Sequence, residues 1–264
     1  MKRVVLEGLL IAIFAVSSCA TTVVLVRTRE HIVIAADSLW LGTTDWHRYF
    51  PYIGCKITQV GDVYFAVSTV DTDAMQVQAL ARRAISHSAS IIDAARNFRG
   101  TVDEIAKRTA AHEVQSNIAM CRRKICTEVV FFGIEQGVPV IDGLKLEQVG
   151  ETRESLKLVP HEYRCPGDCD QRQRTVWIIG RRDRILRNGK LDPDFVARPL
   201  DEEAARHLVE LEAAAHPQYV GGPIDVLLLN SMGPHWMLVE GGTCSAEEIA
   251  APKENSLPSD LLMR

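Results

Sequence analysis

The chain has 264 residues, 47% apolar and 24% charged, an ordinary globular balance with enough apolar side chain for a sizeable core. That length favours one large domain or two small ones. A formal net charge of −4 excludes a broad basic footprint for nucleic acid, and the clusters Arg82-Arg83, Arg122-Arg123-Lys124 and Arg181-Arg182 are short enough to read as solvated faces.

The first twenty residues form an element of their own. Met1-Lys2-Arg3 is a positive start, Val4 to Val16 is apolar except for Glu7 and Gly8, and Ser17-Ser18-Cys19-Ala20 is small and weakly polar. This is the layout of a secretory signal peptide at 1–20, with Ser18 and Ala20 in the small-residue positions before a cut. The apolar stretch is shorter than the roughly 20 residues of a membrane span. A retained membrane anchor or a buried first helix is the alternative. A third reading is lipid processing, since Val16-Ser17-Ser18-Cys19 loosely fits a lipobox and would make Cys19 the first mature residue.

Removal of the leader leaves six cysteines: Cys55, Cys121, Cys126, Cys165, Cys169 and Cys244. An even number in an exported chain permits disulfides, with connectivity open. His161, Cys165 and Cys169 also offer a zinc reading, but the Pro166-Gly167 turn suits a stapled loop, and export favours the disulfide.

Thr21 to Val26 and His31 to Ala36 read as a β-hairpin around Thr28-Arg29-Glu30. Leu41 to Gly54 reads as a polar, aromatic loop. Lys56 to Val60 and Val63 to Ser68 are short strands around Gly61-Asp62. Helical spacing runs from Asp73 to Phe98, with Gly100 as its stop. A second helix spans Thr101 to Ala119, with Thr101 as N-cap and Glu104 completing a capping box. Val129 to Ile134 and Val138 to Leu144 are strands joined by Gln136-Gly137. Residues 150–174 read as irregular. Val176 to Gly180 is a short strand, Glu202 to Ala215 an amphipathic helix, and Ile224 to Leu229 with His235 to Val239 a closing hairpin. The tail after Gly241 is polar and reads as loosely packed. This order is not a βαβα alternation and points to an antiparallel sheet sandwich with helices outside.

A threonine hydroxyl is a weak nucleophile without a neighbouring base, and an N-terminal threonine can use its own α-amine. A free α-amine has a pKa of about 7.7–8.0, so a useful fraction is neutral near pH 7. A cut after Ala20 would create that terminus at Thr21.

The run Thr21-Thr22-Val23-Val24-Leu25-Val26, followed by His31-Ile32-Val33-Ile34-Ala35-Ala36-Asp37-Ser38, resembles the opening of proteasome β-subunits and of the bacterial HslV-type peptidase. Asp37 falls sixteen residues after Thr21, as in that family. The family's next-strand Lys matches Lys56 in Cys55-Lys56-Ile57, three residues later than usual. Ser68-Thr69-Val70-Asp71-Thr72-Asp73-Ala74 resembles the segment entering its first long helix, which puts the oxyanion-binding backbone N–H at Thr69. Similar likenesses occur at Phe131 to Ile134 with Val138 to Ile141, at Val176 to Gly180, and at Tyr219 to Val226. The family's supporting serine after the Ala-Ile-Gly strand is replaced by Arg181, and its Asp and Ser before the Gly-Gly by Pro217 and Val220. Glu212 and His216 are near enough in sequence to substitute.

The resemblance implies a four-layer αββα sandwich over 21–264 and amide or peptide hydrolysis through an acyl-enzyme on Thr21, with Asp37 and Lys56 tuning the site. No cofactor is expected, the histidine spacing and the export reading argue against a metal, and the net charge argues against nucleic acid. The implied partner is a peptide or small amide substrate, with a homo-oligomer as one assembly and membrane contact only where the N-terminal segment is retained or lipidated. The rival reading is a non-catalytic binding or assembly module of the same family. No phosphate-binding glycine loop and no Gly-x-Ser-x-Gly elbow is present.

Overall fold

The computed structural model of the chain describes residues 21–43, 49–69, 74–113, 125–149, 157–169, 174–187, 190–191, 201–238 and 244. The proposed leader, Cys19, Cys121 and the tail from 245 onward lie outside them.

β1 (Thr22–Arg27) and β2 (His31–Asp37) form the expected hairpin, and every residue of β1 is buried. Successive strand side chains point to opposite faces, so an unbroken apolar run requires cover on both sides. Val23, Leu25 and Ile34 face one way, and Val24, Val26, Val33 and Ala35 the other. β10 (Thr175–Gly180) pairs with the free side of β1; β13 (Ile224–Asn230) and β14 (Gly233–Leu238) extend the sheet beyond β2. Its order is β10-β1-β2-β13-β14, and every pairing is antiparallel.

The second sheet has the order β5-β6-β7-β8-β9, from β5 (Ile57–Val60), β6 (Val63–Thr69), β7 (Ile125–Glu135), β8 (Val138–Val149) and β9 (Lys157–Cys165). It is also antiparallel throughout. The sheets meet over a core of Val23, Leu25 and Ile34 against Ala66, Val130 and Phe132. α1 (Ala74–Ser86) and α2 (Ile91–Glu113) pack Ala81, Ala94 and Phe98 on the outer face of the second sheet. α3 (Glu202–Ala215) places Ala205, Leu208 and Val209 on the outer face of the first. Two small hairpins complete the described elements: β3 (Leu39–Thr43) with β4 (Tyr49–Ile53), and β11 (Leu186–Arg187) with β12 (Lys190–Leu191).

The expectation of a four-layer αββα sandwich is corrected by this architecture. The fold is β-rich: two five-stranded antiparallel sheets, with three helices among the described residues. Among the described residues, α3 is the helix that covers the outer face of the first sheet. The chain also forms strands where its sequence reads as loop. The segment 41–54, read as a loop, contains β4 and the second half of β3, and aromatic residue types such as those of Tyr49-Phe50-Pro51-Tyr52 are common in strands. The segment 150–174, read as irregular, contains β9, whose polar residues lie along an edge strand.

The helices also divide differently. The break falls at Ser88–Ser90, where Ser90 Oγ accepts the Asp93 N–H at 3.0 Å as a helix cap. Gly100 and Thr101 lie inside α2, and the Thr101 hydroxyl bonds back to the Asn97 carbonyl at 3.0 Å rather than capping a new helix.

Candidate active site

Thr21 stands one residue before β1 and Asp37 closes β2, so the hairpin brings the two to one end of the first sheet. The Thr22 N–H donates to Asp37 Oδ1 at 2.7 Å. Asp37 Oδ2 accepts from Lys56 Nζ at 2.8 Å and from the Gly221 N–H at 3.1 Å. Both charged side chains are wholly buried. The Lys56 ammonium also lies 5.3 Å from the centre of the Trp40 ring, a cation–π distance. Three of the expected site residues, Thr21, Asp37 and Lys56, are thus brought together.

Burial pushes the Asp37 carboxyl above the usual carboxylate range, against the pull of Lys56 and of the Thr22 and Gly221 amides. Burial likewise lowers the Lys56 ammonium below the usual lysine range, against the attraction of Asp37. A lysine shifted in that direction gives up a proton more readily, as a group supporting proton transfer must.

The far wall comes from the end of β10. The Arg181 N–H donates to the Thr21 carbonyl at 2.7 Å, and the Arg181 carbonyl accepts the Thr22 hydroxyl at 2.9 Å. Gly180, with φ of +80°, makes this approach possible: a Cβ there would lie 2.1 Å from the Thr21 carbonyl oxygen and 2.9 Å from Ser68 Oγ. Glu128 on β7 holds the turn from the second sheet. It accepts the Gly180 N–H at 2.6 Å and the Arg182 guanidinium at 2.8 Å, with Lys145 Nζ 3.1 Å away.

Thr69 ends β6 opposite Thr127, one residue from the buried Ser68, whose hydroxyl has no hydrogen-bond partner among the described residues. The oxyanion position expected at Thr69 therefore falls at the same end of the two sheets as Thr21. Pro217 and Val220, at the positions of the family's supporting Asp and Ser, offer no side-chain donor or acceptor. Glu212 does not substitute for them at Thr21: its Oε1 accepts the Arg184 and Ile185 N–H groups. His216 sits 3.8 Å from Glu212 and 3.9 Å from Asp183.

Residues not singled out by sequence also shape the site. Ser38 Oγ donates to Asp225 Oδ2 at 3.0 Å, and the Gly221 carbonyl accepts from the Leu39 N–H at 2.9 Å. The signal for Gly221 was its place in Gly221-Gly222-Pro223; the signal for Trp40 was an aromatic beside Asp37-Ser38. Glu128 gave none, because an acidic residue in an apolar strand is silent about its partner.

Cys55, next to Lys56, is disulfide-bonded to Cys244, and Cys165 to Cys169, with Cα separations of 4.8 and 5.3 Å. The Cys165–Cys169 bond answers the zinc alternative for that loop. Cys55, Cys244 and Asp225 are the one group of potential metal ligands among the described residues, and there the two sulfurs are bonded to each other. Disulfides fit an oxidising, extracellular location, and no described helix is long and apolar enough to cross a membrane. No protein-family model matches the chain, and no curated protein matches it.

Proposed function

We propose that the protein is an exported hydrolase of the N-terminal-nucleophile kind, cleaving amide or peptide bonds through an acyl-enzyme on Thr21. Cleavage after Ala20 would free the Thr21 amine. That amine takes the hydroxyl proton as Oγ1 attacks the substrate carbonyl, and returns it to the departing amine; water then releases the acyl group. Asp37 and Lys56 orient the residue and set the local electrostatics, and a backbone N–H at Thr69 is the donor proposed for the oxyanion.

The observation that carries this reading is the fully buried Asp37–Lys56 pair, tied through Asp37 Oδ1 to the backbone N–H next to Thr21. Burial of two charges is costly, and a fold retains such a pair readily where it serves chemistry. The two disulfides and the leader-like N-terminus support export.

The test is hydrolysis of a fluorogenic peptide-amide panel by protein purified from its native host, compared with Thr21→Ala. The expected result is Thr21-dependent turnover and an acyl adduct on Thr21 in the mass spectrum, with unchanged circular dichroism in the variant. Equal turnover by both proteins would refute the assignment.

A non-catalytic, membrane-anchored or lipidated module is favoured by one observation: Arg181, Pro217 and Val220 stand where the family places supporting polar groups. A mature chain beginning at Cys19 would decide for it.

A further inference from the structure

Among the described residues, Arg181 Nε and Nη1, His216 Nε2 and Glu212 Oε2 are buried and have no hydrogen-bond partner. Buried polar groups are normally satisfied, so such a cluster demands a reason. Arg181 belongs to the site through its backbone, since it bonds both Thr21 and Thr22. Its guanidinium lies 5.1 Å from the centre of the Tyr219 ring, and Tyr219 is two residues before Gly221, which donates to Asp37. The backbone of Arg181 thus touches Thr21 and Thr22, while its guanidinium lies over the ring of Tyr219, in the segment that leads to Gly221. The Arg181 side chain is 9% exposed.

The charged neighbours leave this cation incompletely answered. Arg181 Nε is 3.3 Å from Asp183 Oδ2, but the Asp183 side chain is mostly exposed and its attraction is screened by water. Glu212 directs one oxygen to two backbone N–H groups, and its other oxygen is 3.8 Å from His216 Nε2. Nη1 is left as a buried donor.

We propose that Arg181, backed by Tyr219 and flanked by His216, is a carboxylate-recognising subsite that selects amide substrates bearing a free carboxylate. This rests on Thr21 being the nucleophile of the same site. A guanidinium is a planar, permanently charged fork suited to a carboxylate, and stacking on an aromatic ring fixes its plane before the ligand arrives. The same cation repels basic substrates, so it discriminates in both directions.

The test uses protein from its native host and pairs of peptide amides that differ only in Glu against Gln, placed on either side of the scissile bond. Binding to the Thr21→Ala variant is measured by calorimetry and turnover by the unaltered protein is measured in parallel. The expected preference for Glu over Gln is about ten- to a hundredfold, the scale of one hydrogen bond to a charged group. Arg181→Gln should abolish the preference and Arg181→Lys should restore part of it. Turnover that depends on Thr21 but shows equal use of Glu and Gln peptides would overturn the subsite and spare the nucleophile. A Glu preference in binding that Arg181→Gln removes, with no turnover by any form, would uphold the subsite and sink the nucleophile. Arg181→Gln that lowers Tm while leaving the Glu-to-Gln ratio unchanged would show a structural guanidinium only, and the subsite would be wrong.

Discussion

Lys56 Nζ lies 2.8 Å from Asp37 Oδ2, and neither side chain has any exposed surface. Removing one member leaves an uncompensated buried charge, which costs about 3–5 kcal/mol. Lys56→Met and Asp37→Asn should each destabilise on that scale in urea unfolding, and the double variant should lose clearly less than the sum. An additive double variant would show that the two charges do not answer each other. If Lys56 supports proton transfer, Lys56→Met also lowers turnover by about a hundredfold or more.

Gly180→Ala is the most direct structural challenge to the Thr21 wall. The added Cβ meets the Thr21 carbonyl oxygen at 2.1 Å, and the backbone at φ of +80° already disfavours a side chain. A loss of at least about 1–3 kcal/mol is expected from the conformation alone. The comparison is Gly61→Ala, which shares a positive φ but has nothing within 4 Å of the new atom. Equal losses at the two positions would mean that the contact with Thr21 adds nothing.

The Cys55–Cys244 bond joins residues 189 apart in sequence. Closing so long a loop restricts the unfolded chain by an amount worth about 5 kcal/mol in the chain-entropy description, with measured values commonly nearer 2–4. Cys244→Ser should lower stability within that span, and non-reducing peptide mapping should show the Cys55–Cys244 link in the native protein. The Cys165–Cys169 bond closes a loop of only four and should matter far less.

Asp142 gives a pH signature. Burial pushes its carboxyl up to about 6 from an ordinary 3.8, with Arg164 at 2.9 Å pulling back and Glu162 and Asp168 adding to the rise. The folded protein therefore holds a proton that the unfolded chain has released. This contribution to stability is complete below about pH 4 and is lost as pH rises through about 6. Subtracting the pH–stability curve of Asp142→Asn from that of the native sequence should isolate a fall across this window. A difference that rises with pH would contradict the assignment.

Much of the site was legible because it depends on register along one hairpin. The two short apolar runs Thr21 to Val26 and His31 to Ala36, joined by a polar turn, place Thr21 and Asp37 at one sheet end without knowledge of the rest. Lys56 was reachable as the lysine opening the next strand. The far wall was not legible, because Gly180, Arg181 and Glu128 meet Thr21 through tertiary pairing of β1 with β10 and of one sheet with the other. The four-layer expectation rests on the family resemblance, and the β-rich architecture corrects it. Edge strands such as β9 carry polar residues that look like loop, so local pattern does not reveal them.

The first residue of the mature protein bears most directly on the nucleophile. Intact mass and N-terminal sequencing of the protein from its native host should give a chain beginning at Thr21, with a free amine one residue from the N–H that Asp37 holds. A chain beginning at Met1, or at a lipidated Cys19, would leave Thr21 without that amine and would contradict the proposed mechanism.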